Sequence, residues 1–180
     1  MATCLKFNKT IAQACRNSTP GIVDFWIANF ADVTTVAYDA SETQIIGITG
    51  TTVSGSTSGF FYKVSVNKES SGFVDNSEIS IPDGRASFTP TVTIKIPGMD
   101  SDTREIFKSL AQATVAVIFK TTSGEYFIAG VENGLDMSAG TLSTGVSRTD
   151  FKGLEITLTG FESEPVISIA SALIADITVA

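Results

Sequence analysis

The chain contains no histidine. That absence excludes the Ser-His-Asp and Cys-His arrangements of nucleophilic catalysis, which need an imidazole to move the proton. Cysteine is scarce as well. Cys4 and Cys15 are the two present, too few for a zinc site that wants four Cys or His ligands; they are expected as reduced thiols, the alternative being a disulfide that closes a small loop. Charge is thin, at 17% of residues, and leans acidic, with 19 Asp and Glu against 12 Lys and Arg, a net charge of −7 and a pI near 4.5. Gripping nucleic acid by its phosphates takes clustered basic residues, and here they are scattered. Long apolar runs are also missing. The most apolar tail, "VISIASALIADITVA", spans 15 residues and holds Asp176, too short for a membrane span. The amino-terminal "MATCLKFNKTIAQACRNSTPG" is interrupted by polar residues every few positions and has no signal-peptide run. No Walker-type loop occurs, and no dinucleotide fingerprint follows a strand. The expectation is a soluble protein made in the cytoplasm, without membrane contact.

What is present favours sheet. Hydrophobic residues make up 43%, Phe appears twelve times, and Thr, Ser and β-branched residues abound. A length of 180 residues fits one domain. "GIVDFWIANF" (21–30) is apolar on both faces, as a strand buried on both sides would be. "SETQIIGITG" (41–50) and "FFYKVSVN" (60–67) read as strands around "GTTVSGSTSG", a glycine-punctuated loop. The stretch 68–90, "KESSGFVDNSEISIPDGRASFTP", is polar and irregular, with Asp83-Gly84 as a hairpin turn signal. It reads as a long hairpin or loop with weak pairing, a candidate interaction arm whose residues 72–87 could be removed without unfolding the domain. "TVTIKI" (91–96) alternates, with Val92, Ile94 and Ile96 inward and Thr91, Thr93 and Lys95 outward.

One short helix is expected at about 102–112. Asp102 and Glu105 have capping-box spacing, and Ile106, Phe107, Leu110 and Ala111 share a face. Val115, Val117 and Phe119 then pair across Ser123-Gly124 with the run from Tyr126 to Ala129. In "TDFKGLEITLTGFESEP" (149–165), Leu154, Ile156 and Leu158 point to the core and Glu155, Thr157 and Thr159 outward; "VISIA" starts a last strand. The sum is a mainly β fold: an antiparallel barrel or sandwich of about eight strands with one flanking helix, which limits exposed edges.

Paired carboxylates are the one catalytic option left, for instance Glu155 with Glu162 or Glu164 for sugar cleavage. Nineteen acids make such pairs by chance, and a solvated face explains them. Asp100-Ser101-Asp102 has the ligand type for Ca²⁺, but helix capping explains it more simply. We expect no enzyme, no cofactor and no metal.

The order of segments carries more than a fold class. An alternating strand, "GMDSDTREIFKSLAQA", an apolar strand, "SGEYFIAGVENGL" and "AGTLSTGVSRTDFKGLEITLTGFESEP" follow one another. This resembles the C-terminal half of tail tube proteins from tailed phages and prophages of Bacteroidetes-type bacteria. Its most specific part is the spacing of Gly145, Asp150, Gly153, the run from Ile156 to Gly160, Glu162 and Pro165. Cys4, Cys15 and "GIVDFWIANF" resemble the opening of those virion proteins, so the likeness runs from Cys4 to Ile169.

The resemblance implies a single tail-tube-like domain over 1–180, with an N-terminal segment 1–20 and an interaction arm at 68–90. Six such protomers form a ring, and rings stack into a hollow tube that conducts DNA during ejection. Tubes of contractile tails, siphophages and secretion systems share that architecture. Implied partners are further copies of the chain, tape-measure and tail terminator proteins and, in contractile systems, sheath proteins; the implied location is the virion tail. Gly72, Phe73, Val74, Asp83, Gly84 and Arg85 are the candidate interaction residues of the arm. Thr91, Thr93, Glu155, Thr157 and Thr159 are the candidate lumen face, since small uncharged or acidic groups let DNA slide where cations would trap it. Six copies at −7 would carry −42 per ring. The alternatives are another tail, neck or baseplate component with the same barrel, or a carbohydrate-binding β-sandwich, which would want exposed Trp or Tyr platforms.

Overall fold

The computed structural model describes residues 20–41, 44–50, 59–66, 70–80, 85–147 and 149–179. Cys4, Cys15 and the rest of 1–19, most of the loop expected at 50–59, and Asp83 and Gly84 lie outside the described residues.

Two sheets pack face to face. The large one has seven strands: β1 (Ile22–Asn29), β2 (Val33–Tyr38), β3 (Gln44–Gly50), β4 (Tyr62–Val64), β7 (Val115–Thr121), β8 (Tyr126–Ala129) and β11 (Ile167–Ile169), in the order β2-β3-β11-β8-β7-β1-β4. The small one has four: β5 (Gly72–Ser80), β6 (Arg85–Pro97), β9 (Asp136–Ser143) and β10 (Gly153–Thr159), in the order β5-β6-β10-β9. Neither closes on itself, so the fold is a β-sandwich rather than a barrel. The pairing is antiparallel throughout these sheets except β11 with β3, which is parallel.

Period-two alternation builds the inner core. Val92, Ile94 and Ile96 of β6 and Leu154, Ile156 and Leu158 of β10 meet Phe25, Ile27, Val117 and Phe119 of the large sheet. The opposite faces of β1 and β7 fill a second core: Trp26, Ala28, Ala116 and Ile118 pack with Phe60, Phe61, Ile174 and Ile177. That is why 21–30 carries apolar residues at both parities; its strand is covered on both sides.

Three expectations are corrected. The strands number eleven among the described residues, not about eight. The expected last strand is present as β11, but a second helix, α2 (Ser171–Ile177), which was not expected, follows it, because Ile174 and Ile177 share a helical face buried on the second core. The first helix, α1 (Ser101–Leu110), starts at an Asp100 N-cap, two residues before Asp102. Ile106, Phe107 and Leu110 do face the inner core, whereas Ala111 is exposed and Thr103 is buried in its stead.

The arm also differs from its expected form. β5 pairs with β6 through nine residues without a slip, from Gly72 opposite Thr93 to Ser80 opposite Arg85. β6 runs straight through Pro90. The Pro90 carbonyl accepts from Gly160 N, so the edge of Pro90 that lacks an N–H faces the end of β10, and pairing with β5 loses nothing. Thr91–Pro97 of β6 pair with β10, and the chain beyond β10 stays on β6 through Gly160 N to Pro90 O and a Phe88–Glu162 bridge. Only the tip of the hairpin from Ser87 outward therefore reaches past the small sheet, by about 10 Å at about 3.4 Å per residue.

Candidate self-assembly surface

Pairing registers place the expected lumen residues on one face. Val74, Thr91, Thr159 and Asp136 form one row across the four strands of the small sheet; Gly72, Thr93, Thr157 and Ala139 form the next; Lys95, Glu155 and Thr141 a third. Thr91, Thr93, Glu155, Thr157 and Thr159 are therefore together, half-buried, on the side turned away from the inner core. Lys95 brings a cation to this face. Its Nζ lies 3.1 Å from Glu155 Oε2 and 5.6 Å from the Phe151 ring centroid, so its charge is met within the sheet.

The interaction residues divide. Phe73 belongs to the interior: its ring sits 4.7 Å from that of Phe119 and packs on the inner core. Gly72, Val74 and Arg85 are exposed on the hairpin. Asp83 and Gly84 lie outside the described residues. Sequence reading missed Ile79, at 67% the most exposed apolar side chain of the hairpin; Val74 is 56% exposed. The signal was present, since Val74 and Ile79 are isolated apolar residues in a polar strand. β5 and β9 end the small sheet, each with one side unpaired among the described strands.

Two chain crossings between the sheets run side by side at one end. The turn after β8 and the turn after β10 clasp each other there. Glu162 accepts from the backbone N–H of Glu132 (3.1 Å) and Asn133 (3.4 Å). Glu132 accepts in return from Ser163 N (2.9 Å) and Ser163 Oγ (2.6 Å), and Asn133 Nδ2 donates to Phe161 O (2.7 Å). Burial pushes the Glu162 carboxyl above its ordinary range against these bonds, and the charges of Glu132 and Asp75 push the same way. The bonds from Ser163 hold Glu132 below its range. Asp75 takes Val166 N at 3.0 Å through Oδ2, while its buried Oδ1 has no partner. Glu155 and Glu162, weighed together for catalysis, have separate partners: Lys95 for one, the 132–133 backbone for the other.

The residues that carry the family resemblance have local work in this fold. Asp150 Oδ2 accepts from Val146 N (2.9 Å) and Ser147 N (2.7 Å), closing the loop that Gly145 opens. Those two bonds lower its pKa. Gly153 leaves room for the Ile96 carbonyl, and Gly160 for the Gly134 carbonyl. Glu162 holds the clasp. The spacing thus encodes turns and crossings, which is fold chemistry.

Beside the clasp lies a groove of about 470 Å³. Val33, Val36, Val131 and Ile167 give it apolar walls, and Glu132, Glu162 and Glu164 an acidic rim. β2, the last strand of the large sheet, runs along it.

These features define a mainly β, two-sheet sandwich with edge strands left unpaired among the described residues and an outer face of threonines, an exposed Asp136 and a lysine paired with Glu155. The chain matches no protein-family model, and no curated protein or solved structure matches it. Among the described residues no helix is long and apolar enough to cross a membrane.

Proposed function

We propose that this protein is a structural subunit that joins copies of itself into rings and stacked tubes of the phage-tail type, through which DNA passes. The observation that carries the reading is the unprotected margin of the small sheet. β5 offers a nine-residue edge, unpaired among the described strands, with Val74 and Ile79 in solvent and Glu78 as its one exposed charge, whereas monomers blunt such edges more heavily with charges, prolines or short strands. β9 ends the same sheet on the other side. Pairing β5 of one copy with β9 of the next is a heterologous contact, which gives a ring when its rotation closes. The threonine rows then turn toward the lumen, and the hairpin reaching past the sheet meets the adjacent ring. Tape-measure and terminator proteins would engage the tube ends, and the virion tail would be its location.

Negative-stain microscopy of concentrated protein tests this. The wild type should give rings or tubes. The double variant Val74→Lys, Ile79→Lys should give none while its circular dichroism and melting temperature stay near wild type, because both sites are exposed. A wild type that stays monodisperse and monomeric at high concentration overturns the reading.

A further inference from the structure

The groove beside β2 needs an occupant. Its walls are apolar, its rim is acidic, and β2, the edge strand of the large sheet among the described residues, contributes Val33 and Val36 to it. Residues 1–19 have the complementary chemistry. They contain Lys6, Lys9 and Arg16 and no acid, with Leu5, Phe7 and Ile11 between. Removing their +3 from the chain's −7 leaves −10 on residues 20–180, so this segment is the basic exception in an acidic molecule.

We propose that residues 1–19 of one copy dock in the groove beside β2 of a neighbouring copy, with Lys6, Lys9 and Arg16 against Glu132, Glu162 and Glu164. This rests on the self-assembly reading. Reach favours a neighbour over the same copy for Arg16, whose four residues to Pro20 span about 13 Å when extended, while Lys6 and Lys9 lie far enough from Pro20 to meet either. Pro20, where the segment is rooted, is held by Thr122 Oγ1 at 3.4 Å, beside the pairing of Ile22 with Thr121. The groove lies at the other end of β1, where Asn29 pairs with Val115 and Gly130 abuts the Val115 carbonyl. Eight residues of strand, about 26 Å, separate root from receptor. A segment leaving one end and a groove at the other make a head-to-tail contact that repeats from copy to copy. An added basic segment would also offset the repulsion that the charge of Glu132 already exerts on Glu162 in the groove lining.

The native thiols supply the probe. In full-length protein with Thr34→Cys, an exposed groove position, mild oxidation with diamide should link residue 34 to Cys4 or Cys15 of another copy. Denaturing, non-reducing gels should then show a ladder at multiples of the chain mass. Glu164→Lys in that background should lower the yield roughly three- to tenfold, and adding Lys9→Glu should restore it. The yield should also fall as salt rises from about 50 mM to about 500 mM. A yield no greater than that of Ser109→Cys, on exposed α1, overturns the proposal, and so does a link formed only within one chain. Microscopy of the same Thr34→Cys sample separates the two levels. Rings or tubes without the intermolecular link sink the docking alone, whereas a monomer with neither sinks the assembly reading as well.

Discussion

At the scale of single residues, glycines and carboxylates at the crossings matter more than any reactive group. Gly160 passes within reach of the Gly134 carbonyl, and a Cβ there would stand 2.5 Å from that oxygen and 2.7 Å from Leu135 Cδ2. Backbone cannot step aside as a flexible side chain can, so Gly160→Ala should cost about 2 kcal/mol, read as a lower urea midpoint at unchanged slope. Glu162 makes a prediction with a definite sign. Its folded pKa lies above 4.5, so the folded chain binds that proton more tightly than the unfolded one. The Glu162 contribution to stability therefore grows as pH falls through the raised pKa toward 4.5. Glu162→Gln cannot titrate. The melting temperature of wild type minus that of Glu162→Gln should become more positive from about pH 7 down to pH 4.5, as scanning calorimetry would read. Glu132 works in the opposite sense, losing its contribution as acid protonates it, so the difference between the two proteins is the quantity to compare.

At the scale of elements, the hairpin of β5 and β6 is where reading the sequence and seeing the fold part most. Polar composition and a Pro-Asp-Gly turn made 68–90 look weakly paired, yet β5 is a full member of the small sheet. The reason is Phe73. One aromatic residue in a polar strand anchors it by stacking on Phe119, which is itself 5.8 Å from Phe127. Deleting 72–87, expected from sequence to block assembly but leave the monomer folded, should abolish the cooperative thermal melt, because it exposes that aromatic cluster and unpairs β6. A cooperative melt in the deletion variant would mean that β5 pairing does not hold the sandwich. The tail shows what spacing left unread. "VISIA" reads as the start of a last strand and Ile167–Ile169 does pair, but the residues after it coil into a helix that was not expected, so that Ile174 and Ile177 cover the second core.

At the scale of the whole molecule, charge and edges point the same way. The net charge is −7, and Lys95, the cation on the threonine face, is met by Glu155. Assembled or not, the protein should fail to retain double-stranded DNA at physiological salt in a filter-binding or gel-shift assay. Tight retention would contradict a lumen through which DNA slides. Addition of Lys at Thr93 and Thr157 should create retention that high salt reverses.

The sequence by itself determined the β class, the inward set of β6 and β10, the covering of β1 on both faces and the absence of His-based catalysis. Each of these follows from side-chain type and period, which are local. Tertiary structure alone decided that Phe73 belongs to the interior, that the tail coils into a helix, that Glu132 and Glu162 clasp two crossings, and that Lys95 on the threonine face is paired with Glu155. Those depend on which distant segments meet, and spacing along a chain carries no record of that.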